Sequence, residues 1–449
     1  MPGVAVHSSN EVRQAAAGTV TSSKPVEGIV SSRDGDVRSV GGHSTDGRVV
    51  VELSDNYVRT IGATGTAARA TSRPPPRDSE PALSMNTSIE VEYWVIDTDG
   101  KLTTPGALAD VSEHTEREFV EPLFELKTPP CETVDELRRT FVDQFETVLS
   151  RAAEVDKRLV PLGTPINCDP IALRPDERGR IQKEVIGDDF AYAKYCAGTH
   201  VHVEKRNVTD QLNTLIALDA ALALVNSSPY LRGERLANSA RAYCYRKKSY
   251  EEFPKHGQLW RYVDTVGEWR RRLEHRYDEF EAAAVEAGID EATVAEHFSP
   301  DDVVWTPVRL RDSMPTVEWR SPDAALPSQV LRLATELEMV MEEIHHTNVE
   351  IEAESDPRDA GHVTADGVRL PAFETACDYA EAAMLDGLES DAVARYLDRM
   401  GFSVGDYHPI ATRIDGRQYV TKSDARDLRL EYANLLEEDV AELSEALEV

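Results

Sequence analysis

The chain has 449 residues, enough for a large core or about two to three domains, and carries a formal net charge of −32, from 81 Asp and Glu against 38 Arg and 11 Lys. So acidic a surface repels phosphate backbones and anionic headgroups, which excludes nucleic acid and membrane surfaces as partners and suits a halophilic protein kept soluble in a salt-rich cytoplasm. Five cysteines without C-x-x-C spacing exclude a disulfide framework and a structural zinc site. No apolar run approaches the roughly 20 residues of a bilayer span and no signal peptide pattern opens the chain, so the expected location is cytoplasmic.

Residues 1–84 are rich in Ser, Gly, Thr, Ala and Val, contain Pro74-Pro75-Pro76, and show no sustained period of 2 or 3.6. Such a composition buries too little apolar surface to offset chain entropy. The segment holds 9 basic and 9 acidic residues, which leaves 40 basic and 72 acidic from Met85 onward, so the whole imbalance falls after it. The expectation is a disordered leader over 1–84, or a start at Met85, with the folded domain over 85–449. The alternative is a small β module around Gly47 to Ile61.

Alternation from Ser88 to Asp97 predicts a strand that turns at Thr98-Asp99-Gly100, with Glu90 and Glu92 facing the same way. A second strand is expected over Leu123 to Thr128, carrying Glu125 and ended by Pro129-Pro130. Leu137, Phe141, Phe145, Val148 and Leu149 recur at helical spacing and predict an amphipathic helix over Val134 to Leu159. Leu159 to Pro165 reads as a short buried strand. In Cys196 to Glu204 a period of 2 puts Val201 and Val203 on one face and His200, His202 and Glu204 on the other. Further helices are expected over Val208 to Ser227, Tyr262 to Ala284, Gln329 to Val349, Leu370 to Leu385, Ser390 to Met400 and Ser423 to Leu447, and a strand over Thr316 to Arg320 puts Glu318 and Arg320 on one face. Strands separated by long helices predict an α+β fold, an antiparallel or mixed sheet with helices packed on one side and a helical C-terminal part.

Charged side chains thus recur at period 2 on four strands. Buried carboxylates are costly unless cations or bases sit beside them. Oxygen-dominated ligation suits Mg²⁺, with Mn²⁺ as the alternative, over Zn²⁺. Cations on a sheet face with an arginine alongside suit phosphoryl transfer, where Arg320 can hold a phosphoryl group through two parallel hydrogen bonds. Neither a P-loop nor a Rossmann fingerprint is present, so the sheet itself would hold any ATP. Mutual repulsion among the carboxylates predicts that Glu318→Gln holds or raises stability in the absence of metal. The competing reading is a zinc-dependent hydrolase built on His200, His202 and Glu204.

The order Glu90-x-Glu92, Glu125-x-x-Thr128-Pro129-Pro130, Ala197-Gly198-Thr199-His200-Val201-His202-Val203, Ser227-Ser228-Pro229-Tyr230 with Ser239-Ala240-Arg241, and Val317-Glu318-x-Arg320 resembles the carboxylate-amine ligases of the glutamate-cysteine ligase type 2 family. The resemblance implies a glutamine-synthetase-like catalytic domain that binds ATP and Mg²⁺. It implies metal ligation by Glu90, Glu92, Glu125, His200 and Glu318, nucleotide contacts from His202 and Arg320, and catalytic roles for Arg320 and Glu318. Arg241 and Glu204 are implied on the substrate side. The chain departs from the family at Tyr93, where a third acidic residue is usual, and at Glu204, where Gly is usual. The implied partners are small molecules: glutamate, ATP, and cysteine or another amine; self-association is left open.

Overall fold

The computed structural model describes residues 82–311, 314–364 and 367–448. Strand β1 (Ala82–Asp97) is the axis of the main sheet, with β2 (Thr115–Arg117) and β3 (Leu123–Lys127) to one side. β4 (Cys131–Thr133) and β5 (Lys157–Val160) pair with its two ends, and β6 (Thr199–Glu204) lies along its other edge. After a hairpin of β7 (Tyr230–Leu231) and β8 (Glu234–Arg235), the chain adds β9 (Val308–Leu310) and β10 (Thr316–Trp319), which gives the order β2-β3-β1-β6-β10-β9. Every pairing in this sheet is antiparallel. A small separate sheet contains β11 (Val349–Ile351), β12 (His362–Thr364) and β13 (Gly367–Leu370).

The helices are α1 (Val134–Glu154), α2 (Glu177–Ile186), α3 (Val208–Ala217), α4 (Ala240–Lys247), α5 (Val266–Glu286), α6 (Glu291–His297), α7 (Pro300–Val303), α8 (Pro327–His346), α9 (Phe373–Leu385), α10 (Asp391–Arg399), α11 (Ala411–Ile414) and α12 (Lys422–Glu448). Strand alternation decides where the long ones pack. Ile89, Val91, Tyr93 and Val95 share one buried face with Val201, Val203 and Val317, and α1 and α8 cover it. Phe145 of α1 meets Tyr93 edge-on at 5.6 Å between ring centroids. Each such side chain contributes about 1.5–3 kcal/mol by leaving water. The opposite face carries the charged residues.

Helix α1 begins where Thr133 Oγ1 accepts the amide of Glu136 at 3.0 Å, and its stripe of Leu137, Phe141, Phe145, Val148 and Ala152 is buried. It ends at Glu154, short of the expected Leu159, because Asp156 takes a left-handed turn (φ 55°) that redirects Lys157–Val160 into the sheet beside β1. Leu159 and Val160 prolong the apolar pattern, which is why spacing alone merged them with the helix. β1 in turn begins at Ala82, six residues before the predicted strand, through pairing of Ala82 with Thr133. The rest of the expected leader and the alternative module around Gly47 to Ile61 lie outside the described residues.

Val208–Val225 is 18 residues long with a mean hydropathy of 1.3, long and apolar enough to cross a membrane, which corrects the expectation that no run comes near that length. In the fold 83% of it is buried. Its second half is a 3₁₀ run from Leu218 to Val225 that carries a fully buried Asp219. The Asp219 carboxylate accepts from Arg246, from the Trp319 indole at 3.1 Å and from the Ser321 hydroxyl, tying the core helix to α4 and β10. At the far end of the chain, Arg429 of α12 is 2% exposed and donates to the carbonyls of Gly100 (2.9 Å), Pro165 (2.7 Å) and Asn167 (2.8 Å).

Removing one partner of a buried ion pair leaves the other charge uncompensated. Asp219→Ala should therefore cost about 3–5 kcal/mol of unfolding free energy, read from the midpoint and slope of a denaturant titration. A loss below about 1 kcal/mol would mean that Arg246 finds another partner.

Candidate active site

Antiparallel register sets the site. Glu90 stands opposite His200, His202 opposite both Ser88 and Glu318, and Glu92 opposite Glu125, so residues from β1, β3, β6 and β10 converge on one face. They form two groups. In the first, His200 Nδ1 lies 3.2 Å from Glu90 Oε2 and 3.6 Å from Glu318 Oε1. In the second are Glu92, Glu118 and Glu125. Within each group one ligand atom per residue lies within 4.8 Å of the others. Glu90 and Glu92, neighbours on one strand face, thus serve different groups.

The two groups solve the problem of crowded carboxylates differently. Burial disfavours the Glu90 anion, but hydrogen bonds and charge from His200 and His202 outweigh it and hold its carboxyl far below the usual range. Glu318 is fully buried, yet Arg320, His202 and His200 bring it down to about 2. Burial, with the Arg320 charge, lowers His200 to about 4. In the second group burial wins. Glu92 is raised to about 7 and so is Glu118, where repulsion from Glu92 adds to burial, and Glu125 lies well above the usual carboxylate range despite the Lys127 ammonium 2.6 Å away.

Arginines frame the first group. Arg320 Nε is 3.0 Å from Glu318 Oε1, and Arg311 and Arg309 approach Glu318 Oε2 at 3.5 and 3.8 Å. Arg241 is 1% exposed; its Nη1 donates to the carbonyls of Arg320 and Ser321, each at 3.0 Å, and its guanidinium lies over the Tyr245 ring. Gly198 is needed here because a Cβ at this position would sit 2.0 Å from Arg241 Nη2. The Gly198 amide instead donates to Glu92 Oε2 at 2.6 Å. The serine motifs hold this arginine in place: buried Asp323 accepts from the Ser227 amide (2.9 Å) and the Ser239 hydroxyl (2.7 Å), and Ser239 caps α4 through the Ala242 amide.

Of the residues singled out from the sequence, Glu90, His200 and Glu318 come together, as do Glu92 and Glu125. His202 has no exposed surface and sits behind Glu90, with Nδ1 3.2 Å from Thr316 Oγ1 and Nε2 3.4 Å from Glu90 Oε2. Glu204, at the end of β6, turns to the Asn86 amide (3.2 Å) and the Arg206 guanidinium (3.1 Å). His202 and Glu204 join neither group, so the three side chains that a zinc hydrolase would need do not converge. Glu118 was missed. It follows the three-residue β2, and its signal was the alternation Glu116, Glu118 in a stretch too short to read as a strand. Arg309 and Arg311 were missed with the short β9.

The donor set fits hard divalent cations. It is five carboxylates and one imidazole, and both Glu318 oxygens are buried without a hydrogen-bond partner. Glu90, His200 and Glu318 would hold one cation, and Glu92, Glu118 and Glu125 another.

The sign of the pH dependence follows. Carboxyls raised in the fold to about 7, as Glu92 and Glu118 are, contribute stability that is full below their unfolded value near 4.5 and lost as pH rises through about 7. Glu318 works oppositely, its contribution being lost as pH falls through about 2. Glu125→Gln should therefore raise cation-free thermal stability at pH 8. Glu318→Gln should lower it, against the sequence expectation, because it strips the counter-charge from three arginines. Mg²⁺ must displace protons from Glu92 and Glu118, so calorimetry at pH 6.5 in buffers of different ionisation enthalpy should show proton release that is smaller at pH 8.5. Binding heats independent of buffer at pH 6.5 would contradict the raised values.

Comparison with known proteins identifies the family. The family model of glutamate-cysteine ligase family 2 matches residues 84–378, and no curated protein matches the chain. Among solved structures, a bifunctional glutathione synthetase from Pasteurella multocida aligns with a TM-score of 0.50 at 14% identity, over 78% of this chain and 52% of its own. The present chain thus spans about half the length of that protein, and the likeness shows a common fold. A glutamate-cysteine ligase from Francisella tularensis in complex with AMP aligns at 0.49 and 13% identity, over 81% of this chain and 93% of its own. With a family match over most of the described residues, the chain belongs to glutamate-cysteine ligase family 2.

Proposed function

We propose that the protein is an ATP-dependent carboxylate-amine ligase that joins the side-chain carboxylate of glutamate to the amine of cysteine. The observation that carries this reading is the pair of carboxylate groups on one sheet face, flanked by Arg320, in a chain of this family. A glutamate oxygen attacks the terminal phosphorus of ATP and ADP leaves. The cysteine nitrogen then attacks the acyl carbon, phosphate departs with the C–O electron pair, and the nitrogen loses a proton. Glu90, His200 and Glu318, and Glu92, Glu118 and Glu125, would hold divalent cations, which would supply positive charge against the transferred phosphoryl group. Arg320 faces the transferred phosphoryl group, held in line by its ion pair with Glu318. Glu92, fixed by the Gly198 amide, and Arg241, fixed by two carbonyls, shape the side on which the amino acid binds. Mg²⁺ is the expected metal, and the reaction draws on cytoplasmic ATP.

Arg320→Lys keeps the charge but loses the planar fork. It should lower kcat on the order of 10² to 10³ with a smaller change in the KM for ATP. For the native enzyme in Mg²⁺ and high salt, ADP release should require glutamate, rise with cysteine, and equal the amide formed. ADP formation indifferent to every amine offered would sink the ligase reading. Amide formation with a different amine would keep the reaction and replace cysteine as acceptor.

A further inference from the structure

We infer that the cavity between the first two turns of α12, the turn after β1 and the loop 167–172 is a binding site for a small oxyanion, a dicarboxylate or phosphate, which fastens the last helix to those two segments. The inference goes beyond the ligase reading and does not depend on it. The cavity shares no residue with either carboxylate group, and it lies further along β1, past the point where Glu92 faces Glu125, at the stretch where the Val95 amide donates to the Pro122 carbonyl.

Its charge is the opposite of the protein's. Acidic residues exceed basic ones by 32 in the chain, yet Lys101, Lys422, Arg426 and Arg429 line this cavity against Glu121 and Asp169. Lys422, Arg426 and Arg429 follow one another at spacings of four and three, so they share one face of α12, and the positive end of the helix dipole adds to them. The two lysines are already paired, Lys422 Nζ at 2.5 Å from Asp169 Oδ1 and Lys101 Nζ at 3.5 Å from Asp99 Oδ2. The two arginines are not. Arg426 is half-buried, and its side chain has no hydrogen bond or ion pair among the described residues. Arg429 gives Nε and Nη1 to three carbonyls, but its Nη2 has no hydrogen-bond partner among the described residues. Burial lowers Arg429 to about 10, and the Arg426 charge beside it adds to the fall.

Two adjacent guanidinium groups with open N–H donors in a recess are stabilised by an anion that accepts from both. Their planar forks match the paired oxygens of a carboxylate or a phosphate, and a doubly charged oxyanion answers Arg426 and Arg429 together. The volume, about 270 Å³, is below the roughly 300–1,000 Å³ usual for drug-sized ligands, so the ligand is small. α12 supplies both arginines, while Lys101 and Cys168 stand on the walls contributed by the turn and the loop. An occupied site therefore joins α12 to both segments through the ligand, in addition to the carbonyl bonds of Arg429.

The test measures binding to the full chain by calorimetry, without Mg²⁺ or nucleotide and at fixed ionic strength, with succinate and inorganic phosphate as probes. At least one should bind and raise Tm as its concentration rises, and which one does so decides between a dicarboxylate and a tetrahedral anion. Arg426→Gln and Lys422→Gln should each weaken binding on the order of tenfold, and Arg320→Lys, in the other site, should leave it unchanged. Half-buried Cys168 on the cavity wall gives a readout that needs no variant. Its alkylation by iodoacetamide, followed by peptide mass, should slow at saturating anion, while that of Cys377, half-buried in α9, should not. The site is overturned if neither probe binds the native protein, or if both cavity variants bind within about twofold of it. Binding that Arg320→Lys abolishes and Arg426→Gln retains would place the anion among the carboxylate groups and overturn it as well. So would a Cys168 that stays equally reactive with the probe bound.

Discussion

Like charges confined to a low-dielectric surface are the constraint around which this protein is built. Five carboxylates from four separate chain segments face one another across a single sheet. Where histidines and arginines stand beside them, Glu90 and Glu318 stay ionised although burial opposes it. Where burial and mutual repulsion outweigh the charges of Arg241 and Lys127, Glu92, Glu118 and Glu125 hold on to their protons instead. One end of the site is thus charged in advance and the other becomes charged when a cation displaces protons. Ligand binding and folding stability are coupled through the same few groups.

Two buried aspartates transmit this demand into the scaffold. Asp219 gathers Arg246, Trp319 and Ser321, which fixes the end of β10 from behind. Asp323 gathers Ser227 and Ser239, which fixes the start of α4 and with it Arg241. The motif serines act through positioning, and none of them reaches the carboxylate groups. This explains why a short motif far from the strands in sequence belongs to the same constellation: it is the other half of an aspartate's hydrogen-bond shell.

Much of this was legible in the sequence, and the parts that were not share physical reasons. Period-2 alternation exposed Glu90, Glu92, His200 and Glu318 because their strands also carry β-branched residues and tryptophan on long enough runs. Register was not legible, so the division of the ligands into two groups could not be read: it depends on Glu92 pairing with Glu125 and Glu90 with His200, choices made by tertiary packing. Strands of three residues leave no period to detect, which hid Glu118 behind β2 and Arg309 in β9. The expectation for Glu318→Gln is reversed for the same reason, since Arg309 and Arg311, which help balance that carboxylate, sit on and beside an edge strand invisible to pattern. Glu204 was placed on the correct face by alternation, but at the end of its strand a side chain is free to turn, and it turned to Asn86 and Arg206.

The clasp made by Arg429 sets an order of events during synthesis. This residue lies in the last helix, yet its guanidinium fastens the turn after the first strand and the loop that carries Pro165 and Asn167. The ribosome releases that helix only after every site residue has already emerged. Until α12 has emerged, the turn at Gly100 and the loop at Pro165 and Asn167 therefore lack the clasp that joins them, and each must reach its place without it.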